Sequence, residues 1–134
     1  MTLVDSNVLI DALTNDPVWY RWSAERLDQR ARLGALLINE IVYAELSVQI
    51  DTERELLRLL AIIDVELARI PTEALFIAGK THYRYCAAGG IRTGVLPDFF
   101  IGAHASVTGM PLLTRDVRRF RTYFPDVTLI APQP

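Results

Sequence analysis

Four acids stand against apolar stretches in this chain: Asp5 after Leu3-Val4, Glu45 after Ile41-Val42, Asp98 after Leu96-Pro97, and Asp116 after Leu112-Leu113. Asp5 and Asp116 follow runs that suit short buried strands, which puts both at strand carboxyl ends, the edge where ligands collect in open α/β sheets. Glu45 lies three and four residues after Val42 and Ile41, and so shares their helical face. Asp98 falls in the first turn of a helix, on a face with Ile101, Gly102 and Ala105. Brought together, such carboxylates resist full ionisation unless a cation lies between them. Oxygen-only donors suit Mg²⁺ or Mn²⁺. An ion held this way polarises a phosphate oxygen and generates hydroxide from water, and a pair about 3.5–4 Å apart stabilises both attacking and leaving oxygens. Hydrolysis of a phosphodiester is the chemistry that follows. Singly, each acid also has a structural explanation: Asp5 as a turn residue, Asp98 and Asp116 as caps, Glu45 as half of an ion pair. Spacing alone leaves both readings open.

The elements that must position these acids alternate along the chain. A strand leads into Asp5 and a helix over 7–13 follows it. Asp16-Pro17 then supplies an N-cap with proline at the first helical position, which predicts a second helix over 17–33 that stops at Gly34. Trp19, Trp22 and Leu27 share one face of it as core or interface residues. A strand over 35–38 precedes Asn39, which caps the helix that carries Glu45. Asp51-Thr52-Glu53 opens a fourth helix, and residues 65–70 alternate as a strand near a sheet edge. Pro71-Thr72-Glu73 begins a helix that ends near Gly89-Gly90, followed by a loop over 90–95 and the helix of Asp98, which Gly109 closes. A strand over 112–114, a short helix to Phe120 and a last strand over 127–130 complete the chain. His82 has no metal-ligating partner at helical spacing in this reading, and His104 lies off the face of Asp98. Alternating strands and helices without repeats or linkers predict one α/β domain over 1–134, with a mostly parallel central sheet flanked by helices.

Composition narrows the class. A formal charge of −2 and a pI near 5.6 lack the basic surplus usual in nucleic-acid binders, although net charge hides distribution. Lys80 is the only lysine, so the positive charge is almost wholly arginine, the better bidentate phosphate ligand. Cys86 is the only cysteine, which excludes an internal disulfide and a cysteine-rich metal site. The chain reaches an acid at position 5 without a basic start, and no apolar run approaches the roughly 18 residues of a membrane span. A cytoplasmic protein outside the membrane is expected.

Asp5-Ser6-Asn7-Val8-Leu9-Ile10-Asp11, Tyr43-Ala44-Glu45-Leu46, Pro97-Asp98-Phe99-Phe100-Ile101-Gly102-Ala103-His104-Ala105 and Leu113-Thr114-Arg115-Asp116-Val117-Arg118-Arg119-Phe120 resemble, in order and spacing, the four motif blocks of the PIN-domain ribonucleases. The length is most similar to the VapC toxins of toxin–antitoxin pairs. The resemblance implies a PIN-like three-layer fold and a Mg²⁺-dependent endoribonuclease, with Mn²⁺ able to substitute. Its substrate would be RNA, often transfer or ribosomal RNA. It also implies a homodimer and a cognate antitoxin whose tail enters the acidic site with an arginine or another group.

By position, Asp5 and Asp98 match the principal metal ligands, and Glu45 and Asp116 complete the site directly or through water. Asn7 and Thr114 match orienting residues, with Asp11 a supporting candidate. Ser6 stands for a common threonine and Gly102 for a common alanine, two departures expected to matter little. Arg115, Arg118 and Arg119, with Arg121, are candidates to grip RNA phosphates, the other reading being a solvated basic turn. Readings of other classes remain: a non-catalytic metal- or RNA-binding regulatory module, or a PIN nuclease of RNA maturation or decay. A phospho-accepting receiver domain fits less well, because Lys80 falls in a helix. A haloacid-dehalogenase-type phosphatase would want an aspartate where Asn7 stands.

Overall fold

A computed structural model describes residues 1–91 and 94–133. Five parallel strands form one sheet in the order β3-β2-β1-β4-β5. These are β1 (Thr2–Val4), β2 (Leu36–Ile38), β3 (Val65–Leu67), β4 (Leu112–Leu113) and β5 (Leu129–Ile130). β1 lies at the centre, with Leu3 opposite Leu37 on one side and Leu112 on the other. Every residue of β1 and β2 is buried whichever way its side chain points. Helices therefore cover both faces, which is why these strands read as continuous apolar runs without alternation.

Successive connections carry the chain outward from β1 through β2 to β3, and then back to β4 on the other side of β1. The order thus reverses between β1 and β4. Helices leaving the two strands diverge there and open a crevice at their carboxyl ends. Asp5 and Thr114 are the residues that follow β1 and β4 at that point.

The helices are α1 (Ser6–Thr14), α2 (Tyr20–Leu33), α3 (Glu40–Gln49), α4 (Glu53–Ile63), α5 (Thr72–Ala87), α6 (Leu96–Thr108) and α7 (Arg118–Tyr123). Several boundaries differ from the sequence expectation, most by a residue or two, and the hydrogen bonds at three of them are instructive. Asp16 does cap, but its carboxylate accepts from the backbone of Val18 and Trp19. It thereby closes a turn over 17–19, and α2 starts only at Tyr20. The strand expected over 65–70 ends at Leu67; the Ala68 N–H still bonds to the Ile38 carbonyl, and beyond it the Ile70 N–H turns to the Glu40 carboxylate at 2.9 Å. The last strand begins at Leu129 because Val127 closes a turn onto the Phe124 carbonyl. Within the expected loop over 90–95, Arg92 and Thr93 lie outside the described residues.

Two contacts fix the helices that carry Glu45 and Asp98. Asn39 is buried; its side-chain oxygen caps α3 through the Val42 N–H at 3.0 Å, and its amide nitrogen lies 3.2 Å from Nδ1 of buried His104 on α6. His104 is therefore structural, as expected, and burial holds its imidazole below the usual range. The second contact corrects an expectation. A methyl group at Gly102 would run into the Phe124 ring, so the glycine is what lets the segment after α7 lie against α6.

Gly102→Ala gains about 1 kcal/mol of helix propensity but overpacks a buried contact, at a cost of about 1–3 kcal/mol. A net loss of about 1 kcal/mol, and no more than about 2, is expected in urea unfolding. Unchanged or increased stability would show that Phe124 yields without cost.

Candidate active site

Asp5 is the N-cap of α1, which accounts for its position after a strand. One carboxylate oxygen accepts from the Ser6 N–H at 2.8 Å. The other accepts from the Thr114 hydroxyl at 2.7 Å and, more distantly, from the Asn7 amide at 3.4 Å. Asp5 is only 5% exposed. Burial pushes its carboxyl up to about 7; the Thr114 bond opposes the shift, and the charges of Asp98 and Glu45 add to it.

Glu45, on α3, is half-buried and accepts from the Ser6 hydroxyl at 3.0 Å. Burial raises its carboxyl, against the Ser6 bond and with the charge of Asp98. Asp98, in the first turn of α6, is raised by burial and by Asp116, while Arg119 opposes the rise. The Arg119 Nη1 donates to Asp98 Oδ2 at 2.9 Å. Asp116 is held through its backbone, whose N–H donates to the Thr114 hydroxyl at 3.1 Å, and its carboxylate stays partly exposed beside Arg118.

The crevice thus brings Asp5, Glu45 and Asp98 within electrostatic reach of one another, with Asp116 at the side of Asp98. Among the described residues, no three acidic, histidine or cysteine side chains make a ready-formed coordination cluster. The donor chemistry still fits a hard divalent cation. It consists of carboxylate oxygens at a helix N-terminus, and each negative charge makes its neighbour harder to ionise. Such a group is relieved by protons, by an arginine, or by a metal ion.

Two of the supporting roles differ from the sequence reading. Ser6 is more than a neutral replacement, because its hydroxyl links the acid-bearing α3 to the start of α1. Its signal was a hydroxyl directly beside Asp5. Arg115 is half-buried and committed to a partner: Nε and Nη2 donate to both oxygens of buried Asp11 at 2.6 and 3.0 Å, and the guanidinium lies over the Trp19 ring. Asp11 also accepts from Ser23, and the Arg115 N–H donates to Asn7. Arg118 and Arg121 remain exposed. His82 does have a neighbour at helical spacing, Cys86, with Nε2 and Sγ 3.6 Å apart on α5, away from these acids.

The family model described as PIN domain matches residues 2–124. Among solved structures, the chain is similar to VapBC2 from Rickettsia felis bound to a fragment of its promoter DNA, at 21% identity, 98% coverage of each chain and a TM-score of 0.74. It is also similar to a toxin–antitoxin complex from Klebsiella pneumoniae, at 21% identity, coverage of 99% of this chain and 98% of that one, and a TM-score of 0.71. VapBC-1 from nontypeable Haemophilus influenzae is similar at 19% identity, 97% and 96% coverage, and a TM-score of 0.71. At this identity the likeness concerns the fold. No curated protein matches the sequence.

The raised carboxyl of Asp5 makes a signed prediction. With its folded value near 7 and its ordinary value near 3.8, the folded state holds this proton more tightly than the unfolded chain across that interval. The stability it contributes is full below the ordinary value and is lost as pH rises toward 7. Metal-free protein should therefore lose urea resistance between about pH 4 and 7, and Asp5→Asn should flatten that slope. An equal slope in the variant would place the burden elsewhere.

Proposed function

This chain belongs to the PIN domain family, and from that premise we propose that it is a divalent-cation-dependent endoribonuclease acting as the toxin of a toxin–antitoxin pair. The observation that carries the reading is the meeting of Asp5, Glu45 and Asp98 over the reversal point of a parallel sheet, with Asp5 held near 7 by burial and by its acidic neighbours. Catalytic centres are where charge is arranged at such a cost to stability.

Asp5 and Asp98 are the residues that would hold Mg²⁺ or Mn²⁺, with Glu45 and Asp116 acting directly or through water. When bound, the cation would polarise the phosphate and acidify the attacking water. Thr114 and Asn7 hold Asp5 in one orientation, and Ser6 does the same for Glu45. Asp116, partly exposed at the edge of the crevice, is the acid placed to take a proton from water arriving from solvent. Exposed Arg118 and Arg121 on α7 are the cations best placed to meet RNA phosphates, whereas Arg115 serves as an internal brace.

The substrate is RNA, with transfer or ribosomal RNA the favoured class. The partner is a cognate antitoxin that puts a basic group into the acidic crevice, where it would compete with the metal for the carboxylates. The similar chains come from structures of VapBC2 from Rickettsia felis, a toxin–antitoxin complex from Klebsiella pneumoniae and VapBC-1 from Haemophilus influenzae, which supports a partner of the antitoxin class. A homodimer belongs to the same reading, and Phe76 and Tyr83, both exposed on α5 two turns apart, offer it an apolar surface. Among the described residues no helix is long and apolar enough to cross a membrane, and the cytoplasm, where RNA substrates lie, is the proposed compartment.

Antitoxin-free protein incubated with total cellular RNA should give discrete fragments in Mg²⁺ or Mn²⁺ and none in chelator. Asp98→Asn and Asp5→Asn should each lower cleavage by roughly a hundredfold or more while far-UV circular dichroism stays unchanged. Metal-independent cleavage, or full activity in either variant, would overturn the assignment.

A further inference from the structure

Two arginines of the β4–α7 segment hydrogen-bond aspartates through their guanidinium groups, and the bonds differ in kind. Arg115 grips Asp11 through two donors, and the Asp11 side chain is 2% exposed. Arg119 reaches Asp98 through a single contact, Nη1 to Oδ2 at 2.9 Å, with side chains 35% and 25% exposed. A two-donor pair on a buried carboxylate is a permanent brace, since separating it would strand a charge. A one-donor pair open to water exchanges readily.

The placement of Arg119 is specific. Its neighbours Arg118 and Arg121 face solvent, while Phe120 anchors α7 in the core and Phe124 seats against Gly102, one turn beyond Asp98 on α6. That packing holds one guanidinium of the three over the acidic crevice.

We propose that Arg119 is an exchangeable counter-ion that competes with the divalent cation for Asp98 and, once displaced, remains beside the crevice to meet an RNA phosphate. This rests on the reading of Asp98 as a cation ligand. The chain would then carry its own competitor for the metal, and filling of the site would release a positive group where an anionic substrate enters. Metal occupancy and phosphate binding are coupled by that exchange, in the same direction from either side.

The test is Mn²⁺ binding to antitoxin-free protein without RNA, measured by electron paramagnetic resonance or calorimetry. Wild type is compared with Asp98→Asn, Arg119→Gln and Arg119→Lys, each checked for fold by circular dichroism. Asp98→Asn should weaken binding by about tenfold or more, because it removes a ligand. Arg119→Gln should tighten it by roughly two- to fivefold, the scale of a partly exposed ion pair. Arg119→Lys, which keeps the charge, should stay near wild type. Unchanged or weaker binding in Arg119→Gln, with Asp98→Asn impaired, would overturn the competition while the cation site stands. Equal tightening in Gln and Lys would also overturn it, since charge would not be the cause. Binding that ignores Asp98→Asn would remove both proposals together.

Discussion

The 2.7 Å bond from the Thr114 hydroxyl to Asp5 joins residues 109 apart in sequence across the point where the sheet reverses its order. It works against the strongest local cost in the molecule, a carboxylate taken almost wholly out of water. Around it the fold is arranged to tolerate that cost. The backbone of Ser6 donates to the other oxygen, the first turn of α1 presents its positive end, and Asn7 adds a weak third donor. These contacts do not cancel burial, since the carboxyl still stands near 7. What remains is first the cost of burial, and the charges of Asp98 and Glu45, which other elements bring to the same crevice, add to it.

Bringing them there depends on packing between helices more than on the sheet. Asn39 caps α3 and meets His104 on α6, so one buried side chain sets both acid-bearing helices. Gly102 removes the side chain that would hold Phe124 off α6, and thereby lets α7 close over Asp98. The two contacts meet α6 close together, at His104 and at Gly102. A shift of either would move Asp98 relative to Asp5 without breaking any strand.

These facts also show what could be read from the chain alone. Strand and helix positions are legible because apolar runs and caps are local signals; Asp5 stands out as an acid directly after an apolar run, and Glu45 and Asp98 because helical periodicity tells which face a residue occupies. Pairings across sequence were not. Arg115 looked like a free basic residue beside Arg118 and Arg119, but its partner Asp11 lies 104 residues earlier. Nothing in a run of arginines says which will turn inward. Gly102 looked interchangeable with alanine because its constraint is the Phe124 ring, which no local pattern reports. Asp16 was read correctly as a cap, yet the same carboxylate that can start a helix can also close a turn, and here it closes one before α2 begins.

A formal charge of −2 is a poor guide to what the surface offers, and the pairings explain why. Buried Asp11 neutralises Arg115 through two bonds, so that charge is already spent within the protein. Asp98 and Arg119 neutralise each other only provisionally, through one solvent-accessible bond. Asp5 and Glu45 lack arginine partners among the described residues and are held by hydroxyl and amide donors alone. The positive charge that remains outward, on Arg118 and Arg121, lies on the same short helix as Arg119. An anionic crevice and a cationic rim therefore stand side by side, which is the arrangement a cation and a polyanion would need if they were to bind together. Summed over the chain, the two signs cancel, and the sum conceals the one place where their separation matters.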